Sequence, residues 1–86
     1  MSEVQQKSIE DRVKKIIREQ MAQYGVEVDD IASDANLANE GFDSLDLVEA
    51  TMGVEDEFGI YIDDGEMRAM LTVQQVIDTV REKIGP

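Results

Sequence analysis

Apolar side chains recur every three or four residues in separate segments of this chain, and this spacing limits the possible fold more than any other feature. Residues 4–24 and 73–84 each show one apolar stripe between charged residues, which is typical of an amphipathic helix. The single proline is the last residue, so no helix is interrupted. Residues 60–62 alternate like a strand but have no partner segment, and we expect an extended link there.

The middle apolar segment, residues 44–58, is too broadly apolar for one stripe. It predicts a second helix with one buried face and one face left for a partner. A short helix is expected over residues 66–71, after a turn at 63–65. Residues 26–43 lose the period and fill with Asp, Ser, Asn and Gly, which predicts a long loop, pinned to the core by Val28, Ile31 and Leu37.

These segments predict an all-α fold, a small four-helix bundle of three main helices plus one short helix, in a single domain over residues 1–86. The chain has 86 residues and contains neither cysteine nor histidine. Disulfides, thiolate metal sites and serine-histidine catalysis are therefore excluded, and we expect a protein that is not an enzyme and holds no metal. No signal core is present, and no segment approaches the roughly 18 apolar residues of a spanning helix. We expect a cytoplasmic monomer that does not insert into membranes.

Negative charge is concentrated in one part of the chain. The net charge is -12, and the span from Glu19 to Met67 contains fifteen carboxylates and no lysine or arginine. Such a field repels nucleic acid and steers basic patches of partner proteins, with a rate that salt reduces.

One serine, Ser44, lies where the long loop meets the second helix, in the run from Gly41 to Asp46. Asp43 or Ser44 can cap this helix, and the positive end of the helix dipole favours a phosphate on the hydroxyl. Asp43 and Asp46 oppose this by about 1 kcal/mol each at contact distance in water. Free phosphate should bind poorly, so a lasting phosphate here should be covalent. Asp43 could also help to hold a divalent ion of a modifying enzyme.

The triplet Asp43-Ser44-Leu45 at the start of a helix resembles the hallmark of the acyl carrier protein family, a family of four-helix bundles. Residues 9–24 resemble the first helix of that family, residues 43–60 its second, and Thr72 onward its last. The likeness implies that Ser44 accepts 4'-phosphopantetheine from coenzyme A, which gives an arm that ends in a thiol and carries acyl groups as thioesters.

The resemblance also implies partners and a pathway. The partners would be a phosphopantetheinyl transferase and acyl-processing synthase enzymes that dock through basic patches, with the acyl chain as cargo. Fatty acid biosynthesis is the default pathway, and a specialised lipid, polyketide or peptide-synthetase system is the alternative. The resemblance implies two further residue sets. The partner-binding set is Leu45, Asp46, Val48, Glu49, Met52, Glu55 and Asp56; the acyl-pocket set is Ala50, Gly53, Val54, Phe58, Ile62 and Met70.

Some residues depart from the family pattern. Glu40-Gly41-Phe42 replaces a common Leu-Gly-Ala, Ala50 replaces a leucine, and Asp63 replaces a proline. Gly53 lies inside a helix, where glycine costs roughly 1 kcal/mol relative to alanine. It either permits a close approach or loosens the helix, and Ala50 and Gly53 would together reshape the space for the acyl chain.

Two other functions compete with a carrier. An EF-hand loop needs glycine at position six and glutamate at position twelve, and alignments on Gly41 and on Gly65 both fail. An acidic interaction protein that mimics nucleic acid would leave Ser44 unmodified.

Overall fold

The computed structural model describes the backbone of residues 2–85 and the side chains from Ile9 onward; Met1 and Pro86, including the expected helix stop at Pro86, lie outside the described residues. No strand occurs among the described residues, apart from one isolated antiparallel bridge between Asn36 and Thr72. The all-α prediction is confirmed. The four helices are α1 (Ser2–Ala22), α2 (Ser44–Phe58), α3 (Asp64–Ala69) and α4 (Val73–Ile84).

Two helices begin and end where their sequence signals predict. Asp43 caps α2, and Gly59 ends it in the left-handed region at φ 64°. Thr72 and Gln75 form the capping box expected for α4, with the Gln75 N–H donating to the Thr72 hydroxyl at 3.2 Å. Because these signals depend only on neighbours in the sequence, they could be identified without tertiary information.

The predicted bounds of two helices were wrong, and α1 begins at Ser2 rather than at residue 4. Helix α1 ends at Ala22 and not at residue 24, because the Tyr24 N–H donates to the Met21 carbonyl in a tight turn that reaches Gly25 at φ 83°. Helix α3 occupies residues 64–69 rather than 66–71. Asp63 and Glu66 form a capping box, with bonds of 2.8 and 3.0 Å, so the expected turn is the start of the helix.

The core lies where α1 packs against α2 and α4. The most deeply buried side chains come from α1 and α4, with Val54 from α2, and the long loop adds three further apolar residues. These side chains are Val13, Ile17, Met21, Val54, Val73, Ile77 and Val80, with Ile31, Leu37 and Phe42 from the loop.

The loop between α1 and α2 is attached along one edge to the start of α4. Leu37 N–H donates to the Leu71 carbonyl at 2.9 Å, and the amides of residues 73 and 74 donate back to the carbonyls of residues 35 and 33. Ile31 and Leu37 are buried as expected, but Val28 is exposed and does not anchor the loop. No helix in the described part of the chain has the length and apolar character needed to cross a membrane.

Helix α2 lies close to α1 at Gly53. A Cβ placed on Gly53 would lie 3.2 Å from Cγ2 of Ile16, closer than ordinary van der Waals contact. Of the two interpretations left open for this glycine, the structure supports a close approach.

Candidate functional site

The first turn of α2 is held by a reciprocal pair of hydrogen bonds. The Asp46 N–H donates to Oδ1 of Asp43, and the Asp43 N–H donates to Oδ2 of Asp46, both at 3.0 Å. Ser44 follows the capping residue as the first residue of the helix, and its side chain is exposed. The hydroxyl is therefore presented to solvent on a turn with fixed geometry.

The same turn leaves backbone donors beside the hydroxyl. The first intrahelical bond runs from the Leu47 N–H to the Asp43 carbonyl at 3.0 Å, and the Asp46 N–H is used by the cap. The amides of Ser44 and Leu45 precede this pattern and point out of the helix end, where the dipole favours an anion. A phosphate joined to Ser44 would lie beside these donors, so the site fits a phosphodiester.

The Asp46 side chain, predicted as a partner contact, is largely shielded from solvent. It is only 8% exposed. The pKa of the Asp46 carboxyl is held below its ordinary value, first by the Tyr24 hydroxyl as a hydrogen-bond donor, and further by the backbone and side chain of Asp43 and by Gln20. The Asp46 carboxylate therefore accepts hydrogen bonds from within the chain.

The pKa of Tyr24 is shifted as well. Partial burial and the nearby Asp46 carboxylate raise the pKa of Tyr24 to about 12, so its hydroxyl stays protonated as a donor. The Tyr24 ring also meets the Phe42 ring edge to face, with centroids 6.5 Å apart and planes at 89°. Phe42 is buried directly before the capping residue.

Sequence reasoning missed Tyr24, Phe42 and Gln20 as parts of this site. Gln20 is a buried polar side chain on the face of α1 that carries Ile16 and Ile17. A polar residue in an apolar stripe is the one signal that indicated a polar contact there. Its Nε2 donates to Oε1 of Glu49 at 3.4 Å, so it joins α1 to α2.

An apolar strip lies on the open face of α2 and consists of Leu45, Val48 and Met52. These side chains are 66%, 37% and 58% exposed, which is unusual for large apolar residues spaced along one helix face. Ser44 lies at the N-terminal end of this strip, directly before Leu45. The structure therefore places the predicted apolar contacts together and in solvent.

The predicted acidic contacts around the strip differ in their availability. Glu49 and Asp56 are exposed. Glu55 is half-buried, and its Oε2 accepts the Ile62 N–H at 2.8 Å, so this oxygen already has a partner within the chain. This hydrogen bond ties the link between α2 and α3 to α2. It also gives the Ile62 N–H an acceptor, which a buried backbone donor needs.

The residues predicted to surround an acyl chain lie in or beside the core. Ala50, Val54, Ile62 and Met70 are buried, and Phe58 and Gly53 are partly buried. Met67 is half-buried against the same cluster. Cargo could enter this region only by displacing packed side chains.

Two surface grooves lie elsewhere, one beside Lys15 and Arg18, the other beside Glu66 and Lys83.

Four helices around a small core, with one exposed hydroxyl at a helix start beside an apolar strip, define a carrier domain that presents a tethering point. Comparison with known proteins agrees. The family described as a phosphopantetheine attachment site matches residues 11–80. The crystal structure of an acyl carrier protein from Thermotoga maritima is similar, with a TM-score of 0.76 and 28% sequence identity over 92% of this chain and 89% of that chain.

The chain therefore belongs to the phosphopantetheine attachment family and is a carrier protein of the acyl carrier type. Its prosthetic group is 4'-phosphopantetheine, as the resemblance implied.

Proposed function

We propose that Ser44 is the attachment residue and that the chain carries acyl intermediates to the enzymes of fatty acid biosynthesis. The observation that supports this most directly is the position of Ser44, exposed as the first residue of α2 and beside two amides that precede the helical bonding pattern. When bound, the prosthetic group supplies a thiol that holds acyl groups as thioesters. The chain has no thiol of its own that could compete.

Loading requires a transferase, because the chain has no histidine to act as a general base, and Oδ1 of the neighbouring Asp43 carboxylate already accepts the Asp46 N–H. The Ser44 oxygen would attack the β-phosphorus of coenzyme A, forming one P–O bond while the pyrophosphate P–O bond breaks. Adenosine 3',5'-bisphosphate leaves, and the serine proton passes to a base of the transferase. On this chain Asp43 is exposed beside Ser44 and could contribute a carboxylate oxygen to a divalent ion brought by the enzyme.

Docking would use the apolar strip together with the exposed carboxylates of Glu49 and Asp56. Apolar area supplies affinity, and the charges steer basic partner surfaces. We place this function in the cytoplasm, because a carrier thiol needs a reducing compartment to remain free. A specialised lipid, polyketide or peptide-synthetase pathway would use the same site and surface. The chemical identity of the acyl group on the arm would distinguish such a pathway from fatty acid biosynthesis.

Intact mass spectrometry tests the attachment. The unmodified protein is incubated with coenzyme A, magnesium and a phosphopantetheinyl transferase of broad specificity. Wild type should gain the mass of one phosphopantetheine group, and Ser44→Ala should gain none. Ser33→Ala, at a loop serine whose carbonyl is bonded to the start of α4, is the matched control and should load normally. Loading of Ser44→Ala, or no loading of wild type, contradicts the proposal.

Steering is tested by the salt dependence of the loading rate. Glu49→Lys should lower kcat/KM severalfold at low ionic strength, and the loss should shrink as salt is added. Lys15→Glu, on the outer side of α1, serves as a charge-changing control away from the strip. An equal loss at every salt concentration would contradict steering by Glu49.

Mass spectrometry of the protein purified from its own cells would identify the acyl cargo.

A further inference from the structure

One hydroxyl group in the core has no hydrogen-bond partner. Thr51 in α2 is only 6% exposed, and its Oγ1 bonds to no group in the part of the chain that the structure describes. The other two threonines use their hydroxyls: the Gln75 N–H donates to Thr72 at 3.2 Å, and Thr79 donates to the Gln75 carbonyl at 2.8 Å. A buried polar group without a partner costs free energy, so the Thr51 hydroxyl indicates a partner that does not belong to this chain.

The backbone of α2 offers Thr51 an acceptor that it does not use. A threonine inside a helix divides between two rotamers, one of which bonds a carbonyl three or four residues earlier. Thr79 adopts this arrangement with Gln75. The corresponding acceptor for Thr51 is the carbonyl of Leu47, and no such bond forms. The Thr51 hydroxyl therefore stays available inside the core.

Helix geometry places Thr51 on the side of α2 that faces away from α1. Gly53 and Glu57 lie one turn apart, and both lie against α1. Thr51 and Glu55 are each two residues earlier, about 200° around the helix, and so lie on the opposite side. Glu55 accepts the Ile62 N–H at 2.8 Å, and α2 also packs against α3. The face of α2 that carries Thr51 is thus covered by the segment that leads into α3.

We propose that the Thr51 hydroxyl is a specificity contact for the carried acyl group, and that this chain favours acyl groups with a hydroxyl or keto oxygen over saturated ones. The inference rests on the proposed function of Ser44. The hydroxyl would bond the cargo oxygen inside the bundle, between α2 and the segment from Ile62 to Met70. A threonine hydroxyl both donates and accepts, so it can pair with either kind of oxygen.

The surroundings of Thr51 suit a chain that is largely apolar and carries one oxygen. Ala50 and Val54, its neighbours on α2, are buried, and so are Ile62 and Met70. Ligand sites are typically apolar, with a few polar groups that fix the orientation of the ligand, and Thr51 supplies such a group among these side chains. Methionine adapts its shape readily, so displacement of Met70 would make room for cargo.

Thermal unfolding of the unmodified protein tests whether the Thr51 hydroxyl lacks a partner. Valine has nearly the same shape, so Thr51→Val removes the hydroxyl and keeps the packing. Its Tm should rise by about 4–8 °C, as expected when an unpaired buried hydroxyl is removed from a domain of this size. Thr79→Val is the matched control and should lower the Tm, because it loses the bond to the Gln75 carbonyl. An unchanged or lower Tm in Thr51→Val would show that the hydroxyl is already bonded, which would overturn the inference.

The preference for cargo is tested on the loaded protein. A transferase of broad specificity attaches octanoyl-phosphopantetheine or β-hydroxyoctanoyl-phosphopantetheine from the matching coenzyme A thioesters. In wild type, the β-hydroxyoctanoyl form should unfold at a Tm about 4–8 °C above that of the octanoyl form, the shift expected for one added hydrogen bond. The difference should vanish in Thr51→Val and persist in Thr51→Ser, which keeps a hydroxyl. It should also persist in Thr79→Val.

Nuclear magnetic resonance locates the contact. The methyl resonance of Thr51 should shift when β-hydroxyoctanoyl replaces octanoyl, while the methyl resonance of Thr79 should not. A Thr51 methyl that is the same with both cargoes would mean that the cargo oxygen lies elsewhere, and the inference would be wrong.

The loading step separates this inference from the proposed function. If wild type is never loaded, the function of Ser44 fails, and the inference about its cargo fails with it. If wild type is loaded but unfolds at the same Tm with both cargoes, or if Thr51→Val retains the difference, the attachment stands and Thr51 is not a specificity contact.

Discussion

The guanidinium carbon of Arg12 in α1 lies 4.4 Å from the centroid of the Phe58 ring at the end of α2. The same guanidinium donates to the Glu57 carboxylate at 2.6 Å and to the Glu57 carbonyl at 3.0 Å. One side chain therefore stacks on a ring, pairs with a charge and caps a carbonyl of the last turn of α2. Arginine can do all three because its donors form a planar fork.

Replacing Arg12 by lysine should lower the free energy of unfolding by about 0.5–1.5 kcal/mol, since the charge remains but the stacking and the carbonyl bond are lost. The value is modest because both charged side chains are about two-fifths exposed. Urea denaturation measures the change. Arg68→Lys is the control, because the Arg68–Asp64 pair is 76% exposed on both sides and should contribute less than about 0.5 kcal/mol. Equal losses in both variants would contradict the assigned role of Arg12.

Glu55 should matter for stability rather than for docking. Glu55→Ala leaves the Ile62 N–H without its 2.8 Å acceptor and should cost about 1–3 kcal/mol. Glu55→Gln retains an acceptor oxygen and should cost less than half as much. Asp56→Ala, at the exposed neighbouring position, is the control and should change stability by no more than about 0.5 kcal/mol. If Gln is as harmful as Ala in thermal and urea unfolding, the charge and not the hydrogen bond is responsible.

A double-mutant cycle tests the close approach at Gly53. Alanine should gain up to about 1 kcal/mol in helix propensity, but its Cβ would press on Cγ2 of Ile16 at 3.2 Å. We expect Gly53→Ala to be nearly neutral in wild type and stabilising by about 1 kcal/mol in an Ile16→Ala background, where that methyl is absent. Gly65→Ala, where the nearest atom lies at 3.5 Å, is the matched control without a close contact. Additive effects at positions 16 and 53 would show that the close approach carries no energy.

The Glu66–Lys83 pair predicts a loss of stability in acid. Lys83 donates to Oε1 of Glu66 at 2.7 Å, and this bond, followed by the Asp63 N–H, holds the pKa of Glu66 below its ordinary value. A lowered pKa in the folded state stabilises the protein above the pKa of the unfolded state, and this stabilisation disappears as the pH falls through the folded pKa.

Glu66→Gln keeps the capping box to Asp63 and removes only the charge. It should cost about 0.2–1 kcal/mol at pH 7, because both side chains are partly exposed. The difference from wild type should vanish at pH values below the lowered pKa of Glu66. A difference that stays constant from neutral to acidic pH would contradict this account.

Local signals accounted for much of the fold. The boundaries of α2 and α4 could be predicted because their caps are formed by residues three positions apart, such as Thr72 and Gln75. The start of α3 was misplaced because Asp63-Asp64-Gly65 suits both a turn and a capped helix. Only the reciprocal bond from Glu66 decides between them.

The parts of the candidate site that the sequence could not predict depend on contacts between distant residues. Spacing along α2 could show that Asp46 and Glu55 lie near the apolar strip. It could not show that Tyr24, in the turn after α1, packs on Phe42 beside the capping residue, or that the chain returns after Gly59 to place the Ile62 N–H on Glu55. Such contacts depend on how elements pack, and periodicity alone carries no information about them.

The attachment of the long loop to the start of α4 decides where a foreign segment can be inserted. Residues 33–37 exchange backbone bonds with residues 71–74, so an inserted tag there would separate the loop from α4. Residues 27–30 are exposed, and Arg18 contacts them at the Asp29 carbonyl and the Asp30 carboxylate. A short affinity tag inserted within residues 27–30 would leave the backbone bonds to α4 intact, so the tagged carrier should still fold and accept its prosthetic group.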